Sequence, residues 1–436
     1  MRIIIPARPL IERVIGRQKR IEGQRYRLMT YVVQQPVDDG VLLYNTLTCS
    51  LVLLTPDEAA DITAQRELID RWFLVPQEHD DRKACIEIRQ MAALLTPATE
   101  YINKYIILPT TGCNARCFYC FEKGAKPVNM TAETASKVVR YIVGHRGDEK
   151  VVLRWFGGEP LVNAKVIDQI CTELSEKGVP FFSWMYSNGY LFDADMVQRA
   201  KDLWKLHHVV ITLDGTEQTY NRVKDYVYRG VNAFERVLQN IDMLTAAGIL
   251  VQIRLNVDMH NIGEMSSVVE LLHQRFGTNE HLCVYSMQLY GEHSSEDNAE
   301  LFARRMQLEQ QLMQYGFRGQ WGVPRDIKVN CCSADNDGSV VIAPDGHLGK
   351  CEQYIDSEFF GHIDSKERNE AVLRKFKERR ADIEACATCF YYPQCNRNRL
   401  VMCKKYNCTP EYRQERLYET TEGMKYEYER YLCNER

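Results

Sequence analysis

Long apolar runs, a strong charge of either sign, repeats and low-complexity linkers are all missing from this 436-residue chain. No segment approaches the roughly 18 consecutive apolar residues of a membrane-spanning helix, so neither a span nor a membrane partner is expected. The opening Met1-Arg2-Ile3-Ile4-Ile5-Pro6 is too short an apolar run for a secretory signal. The two absences together lead to a cytoplasmic assignment. A net charge of -4 gives no electrostatic footprint for nucleic acid. Hydrophobic content of 45% and charged content of 26% suit a folded chain with a sizeable core. The length suggests about two or three domains.

What is abundant is cysteine, with 16 in all. In a small secreted chain they would form disulfides. In a long cytosolic chain the thiols stay reduced, and clustered cysteines read as metal ligands. The first cluster is Cys113, Cys117 and Cys120, at CxxxCxxC spacing directly after the apolar run Tyr105–Leu108. Three thiolates on one short loop can cap three irons of a cubic [4Fe–4S] cluster and leave the fourth iron open to a small molecule. The alternatives are a zinc knuckle or three unrelated core thiols. A second group comprises Cys332, Cys351, Cys386, Cys389, Cys395, Cys403, Cys408 and Cys433. Cys49, Cys85 and Cys171 lie outside both, and Cys171 falls in a helical pattern as a core thiol.

Residues 1–100 read as a small β-rich region, with strand-length runs at Arg27–Gln34 and Val41–Leu54 separated by the turn signal Pro36–Gly40. Thr55-Pro56 starts a helix that should reach about Phe73. Such a unit either recognises a peptide by strand addition or serves as a lid. From residue 101 to 316 the pattern alternates. Strands are expected at Tyr105–Leu108, Val151–Phe156, Phe181–Tyr186, His208–Leu213, Leu250–Val257 and His281–Leu289, with helices between them. Six β–α units argue for an α/β fold with a parallel sheet, a partial (β/α)6 barrel whose chemistry lies at the carboxyl ends of the strands. Those ends carry Gly157-Gly158-Glu159-Pro160, Ser187-Asn188-Gly189 and Asp214-Gly215. The two glycines would let a ligand approach the backbone. Arg254 and Asn256 alternate with apolar neighbours, share a face and point inward; Arg254 suits a carboxylate as a fork. Each of these alone also reads as a common turn or a structural ion pair.

Together, the cysteine loop with Tyr119 before its last cysteine, the Gly157–Pro160 segment, Ser187-Asn188-Gly189 and Asp214-Gly215 resemble the radical S-adenosylmethionine (SAM) superfamily. The resemblance implies a partial (β/α)6 barrel whose cluster binds SAM at its open iron. One-electron cleavage of the sulfonium then gives methionine and a 5′-deoxyadenosyl radical that abstracts a substrate hydrogen. It further implies that Tyr119, Gly157, Gly158, Glu159, Ser187, Asn188 and Arg254 bind the cofactor: Gly157, Gly158 and Glu159 on the methionine amino group, Ser187 and Asn188 on the ribose side, and Arg254 on the carboxylate.

Residues 317–436 resemble the SPASM extension of peptide-modifying members of that superfamily. Cys332, then Gly346 after thirteen residues, Cys351 after four more, and Cys386-x2-Cys389-x5-Cys395 follow its pattern. The next family cysteine would fall at Arg399, where this chain instead offers Cys403 and Cys408. The resemblance implies two auxiliary [4Fe–4S] clusters, hence three in all. One would take Cys332, Cys351 and Cys403, with Cys331 or Cys283 as a fourth ligand. The other would take Cys386, Cys389, Cys395 and either Cys408 or Cys433. A pair of zinc ribbons is the alternative. The implied activity is maturation of a ribosomally made precursor peptide by a thioether or carbon–carbon cross-link, with flavodoxin or ferredoxin as electron donor. A formylglycine-forming maturase is the second reading, with Asp214 or Asp258 as acid or base. A non-enzymatic iron–sulfur electron carrier is the third.

Overall fold

The computed structural model describes residues 1–7, 9–95, 101–289, 295–317, 322–326, 329–330, 332–354, 356–395, 400–403 and 408–434. Cys331 and Arg399 lie outside the described residues. The chain divides into two compact units, and both are discontinuous in sequence. One comprises Met1–Ala98, Trp321–Cys332 and Glu378–Arg436; the other comprises Thr99–Gln320 and Ser333–Lys377. A linear partition at residues 100 and 316 therefore differs from the compact units: 333–377 folds with the central segment and 378–436 with the amino-terminal one.

In the first unit, β1 (Arg2–Ile5), β3 (Val32–Val37), β4 (Gly40–Asn45) and β5 (Ser50–Leu54) form an antiparallel sheet in the order β1-β5-β4-β3. β2 (Tyr26–Leu28) pairs with β6 (Leu74–Pro76). The run Val41–Leu54 is two strands rather than one. Asn45 Oδ1 accepts from the backbone N–H of Leu47 and Thr48, and Cys49 takes a left-handed φ of 57°, which reverses the chain. Thr55 does start a helix through a reciprocal capping box with Glu58. That helix stops at Ala60, because Asp61 accepts from Ala64 N and opens a separate 3-10 turn; a further helix covers Arg66–Asp70. The carboxyl-terminal helix Pro410–Asn434 lays Met424 and Tyr428 on Ile5, Val33, Leu42, Tyr44, Leu51 and Leu53 of the sheet.

The second unit holds six parallel strands in chain order: β7 (Lys104–Ile107), β8 (Val151–Trp155), β9 (Phe181–Ser187), β10 (Leu206–Leu213), β11 (Leu250–Val257) and β12 (Leu282–Gln288). This is the α/β architecture with six successive parallel strands that the alternation predicts. Amphipathic helices such as Ala132–His145 and Ala164–Glu176 bury one face each. Along β9, Phe181, Ser183, Met185 and Ser187 are buried while Phe182, Trp184 and Tyr186 alternate on the more open face. The carboxyl-terminal hairpin extends this sheet. β13 (Ser339–Ile342) pairs in parallel with β7, and β14 (His347–Gly349) and β15 (Phe359–His362) follow antiparallel.

Candidate active site

The cysteine loop leaves the carboxyl end of β7 and is tied back at once. Thr110 bridges Asn129, Gly112 N donates to Thr110 Oγ1 at 2.8 Å, and Thr111 N donates to the Val128 carbonyl at 3.0 Å. Cys113 is exposed; Cys117 and Cys120 are half-buried. Beneath the loop runs Gly157-Gly158. Gly158 N donates to the Thr110 carbonyl at 3.2 Å and Glu159 N to the Gly112 carbonyl at 2.9 Å. A Cβ at Gly157 would fall 2.2 Å from the Thr110 oxygen, and one at Gly158 2.3 Å from the Gly112 oxygen. The close approach that demands glycine here is therefore made by the cysteine loop itself, where a ligand was expected.

Glu159 is fully buried at the next strand end. Its carboxylate accepts from the Ser187 hydroxyl at 3.0 Å, Asn188 N at 2.7 Å and Leu161 N at 3.1 Å. Burial pushes its pKa up to about 7, against the pull of those donors. Asn188 Nδ2 donates to Asn114 Oδ1 at 2.6 Å, beside Cys113. In this structure Glu159, Ser187 and Asn188 thus bond to one another and to the loop. Short polar groups that converge at neighbouring strand ends satisfy each other.

Tyr119 is also engaged. Its hydroxyl donates to Asp214 Oδ1 at 2.8 Å and accepts from Lys224 Nζ at 3.0 Å and Asn256 Nδ2 at 3.2 Å. Both carboxylates considered as acid or base have partners. Asp214 pairs with Lys224 at 2.8 Å, and Asp258 accepts from the N–H of His260 and Asn261. Arg254, in register with Thr212 and Tyr285, has a buried Nε without a partner. On the inner face of β8 and β9, the Arg154 guanidinium lies 4.7 Å from the Trp184 ring, 4.8 Å from Tyr186 and 5.3 Å from Phe156, and pairs with Glu352 at 3.1 Å. Burial, with His207 and Arg154 nearby, lowers His208 on the same wall to about 4. The wall continues to the cysteine loop through Phe121, stacked 6.2 Å from Phe156.

Residues 107–272 match the Radical SAM superfamily. The match places the cysteine loop and the strand ends from β7 to β11 in a stretch similar to radical SAM domains. Among curated proteins, the AdoMet-dependent heme synthase of Methanosarcina barkeri is 26% identical over 164 residues, 37% of this chain and 44% of the relative. The chain spans less than half the length of the curated relatives it matches. Among solved structures, native anSMEcpe with bound AdoMet and Kp18Cys peptide superposes with a TM-score of 0.56 at 16% identity, covering 76% of this chain and 98% of that one. Streptococcus suis SuiB bound to precursor peptide SuiA gives 0.52 at 11%, covering 85% and 95%. At these identities the structural likeness is one of fold.

The radical SAM family uses a [4Fe–4S] cluster and SAM, and the residues of this domain fit that pair. Three thiols within mutual electrostatic reach form the soft donor set. Asn188 Nδ2 at 3.9 Å and Ala115 N at 3.4 Å face Cys113 Sγ, as donors that would support a thiolate. The orphaned Nε of Arg254 is a ready partner for a carboxylate. Among the described residues no three Cys, His, Asp or Glu side chains are already drawn to metal-binding distance.

Of the distal cysteines, Cys351 and the half-buried hairpin end belong to the second unit, and Cys332, Cys386, Cys389, Cys395, Cys403, Cys408 and Cys433 to the first. Within the first unit, Cys389 lies in electrostatic reach of both Cys386 and Cys408, and Arg413 donates to Cys408 Sγ at 3.4 Å. Cys433 sits near the far end of the helix Pro410–Asn434, roughly 35 Å along its axis from Pro410 at 1.5 Å rise per residue, whereas Cys408 precedes the helix start. Cys386 and Cys389 pack on the core of Met29, Tyr31, Leu47, Cys49 and Tyr392. Cys283 and Cys171 are buried core thiols.

Sequence reasoning missed Lys224, Arg154 and Glu122. Glu122, two residues past Cys120, has both carboxylate oxygens buried without a partner, and burial raises it to about 7. Its position directly behind the last loop cysteine was the available signal. Lys224 had none, since only the fold brings it to the loop.

Proposed function

We propose that this chain is a radical SAM enzyme that modifies a ribosomally made peptide, closing a thioether or carbon–carbon cross-link. The observation that carries the reading is the cysteine loop at the carboxyl end of β7, pinned by the next strand ends and flanked by an aromatic inner wall. The bound peptides in the anSMEcpe and SuiB structures support a peptide substrate. Cys113, Cys117 and Cys120 would hold the cluster, and Arg254 the carboxylate of SAM; Gly157, Gly158, Glu159, Ser187, Asn188 and Tyr119 line its surroundings. When bound, this pair supplies a 5′-deoxyadenosyl radical for hydrogen abstraction. Arg154, Phe156, Trp184 and Tyr186 form a wall that keeps water from the abstraction site. The distal cysteines hold auxiliary clusters that take up the electron released on bond closure, the amino-terminal segment 1–100 receives the peptide, and a cytoplasmic flavodoxin or ferredoxin supplies electrons. The engagement of Asp214 and Asp258 within the protein disfavours the formylglycine reading.

Anaerobic reconstitution should give about twelve irons per chain if three [4Fe–4S] clusters form. With dithionite and SAM the protein should release 5′-deoxyadenosine. Replacing Cys113, Cys117 and Cys120 with Ala should abolish release and leave about eight irons. Fully reconstituted protein that releases none would overturn the enzyme reading.

A further inference from the structure

Lys224 ends the helix Glu217–Lys224, and its side chain is only 3% exposed. A lysine so buried needs a partner, and Asp214 at 2.8 Å provides one. That pair alone would account for the burial. Three further contacts, however, reach the cysteine loop. The Lys224 carbonyl accepts from Arg116 N at 2.8 Å, and Val227 N donates to the Asn114 carbonyl at 2.9 Å. Both loop residues lie between Cys113 and Cys117. The ammonium donates to the hydroxyl of Tyr119, which lies between Cys117 and Cys120. Asp225 takes a left-handed φ of 42°, which turns the strap 224–227 back along the loop. Tyr226 closes its far side by donating to the Asn188 carbonyl at 3.3 Å.

The electrostatics point the same way. Cys117 and Cys120 are within reach of the ammonium. Three thiolates on a cluster place negative charge in a partly buried loop, and one-electron reduction adds more. A buried cation next to that charge favours the reduced state, and Asp214 opposes it.

We propose that Lys224 is a positioning residue for the cluster loop: its strap sets the backbone between the cysteines, and its buried charge raises the reduction potential of the cluster they bind. The inference rests on the reading of Cys113, Cys117 and Cys120 as cluster ligands. Asp214 sets the balance, so the two members of the pair act on the cluster with opposite sign.

The test uses the full chain with Cys386, Cys389 and Cys395 replaced by Ala to lower the auxiliary signal, reconstituted anaerobically and titrated with dithionite under EPR. Lys224→Met should lower the ratio of reduced to oxidised cluster about tenfold at a fixed poise, about 59 mV for a one-electron couple. Asp214→Asn should move the ratio upward, and Lys224→Arg should stay within about twofold of the parent. Hydrogen exchange of loop residues 113–120 in iron-free Lys224→Met should be faster than in the parent. A role limited to holding the fold would shift Lys224→Met and Asp214→Asn in the same direction. That outcome, or no shift in either, overturns the inference. If Lys224→Met fails to hold iron, the direction for Asp214→Asn decides. If the parent itself binds no iron at the loop, it is the cluster reading that fails.

Discussion

Gly158→Ala isolates the contact between the Gly-Gly segment and the cysteine loop. Unlike Gly157, whose φ is +122°, Gly158 has a backbone open to any residue, so the substitution adds a methyl group and no backbone strain. The new Cβ would lie 2.3 Å from the Gly112 oxygen, 2.6 Å from its carbonyl carbon and 2.7 Å from the Thr111 oxygen, whereas ordinary contact begins at 3.4 Å. The loop must retreat by about 1 Å, and it has no flexible side chain to absorb the movement. The hydrogen bond from Glu159 N to Gly112, now 2.9 Å, would lengthen past useful range. Overpacking of this kind costs about 1–3 kcal/mol, and losing the bond adds about 1 kcal/mol. The expected result is a urea midpoint lowered in proportion and iron at the loop reduced by half or more after reconstitution, read by iron assay and EPR. Full iron loading with unchanged stability would refute the account of these glycines as spacers for the loop.

Two further predictions concern pH. Glu159 is an acid whose native pKa, about 7, stands above the ordinary 4.5, so the folded chain binds more protons than the unfolded one between those values. Stability should therefore fall by about 3 kcal/mol as pH rises from 4.5 to 7 and level off above. Glu159→Gln should flatten that slope in urea titrations at pH 5 and 8, and an unchanged slope would count against the assignment. Asp81 is the opposite case. Its burial raises the pKa, but His79, Arg27 and the Thr30 N–H hold it well below the ordinary carboxylate range. The stability it confers is present above pH 4 and is lost as pH falls below it. Asp81→Asn should cost about 2–3 kcal/mol at pH 7 in chemical denaturation, and progressively less as pH falls from 4 toward the acid limit.

The parallel unit was legible because its signals are local and redundant. Each strand from β7 to β12 is an apolar run bounded by helix caps such as Thr131, Asp193 and Asn232, all of which accept from N–H groups of the helices they start. The amino-terminal sheet was less so. Val41–Leu54 is one apolar run in composition, and only the Asn45 side chain turns it into two strands. The compact units were not legible at all. Gln394 donates to the Thr46 carbonyl at 2.9 Å across 348 positions, and Tyr392 stacks on Tyr31. No periodicity or composition shift encodes contacts at that separation. The same holds for Lys224, whose partners Tyr119 and Asp214 lie on two other segments.

The site shows why a motif residue need not touch the molecule its motif serves. Gly157 and Gly158 make room for the loop backbone, Glu159 draws the ends of β8 and β9 together through Ser187 and Asn188, and Tyr119 joins the loop to Asp214 and Lys224. Loss of activity on substitution at any of them is therefore ambiguous between cofactor contact and loop geometry. Iron content and SAM affinity separate the two. A residue that shapes the loop loses iron first, and SAM affinity falls with it. A residue that grips SAM, the role proposed for Arg254 with its unpartnered Nε, would keep its iron and lose affinity by about tenfold or more, the measure of one charge-assisted bond.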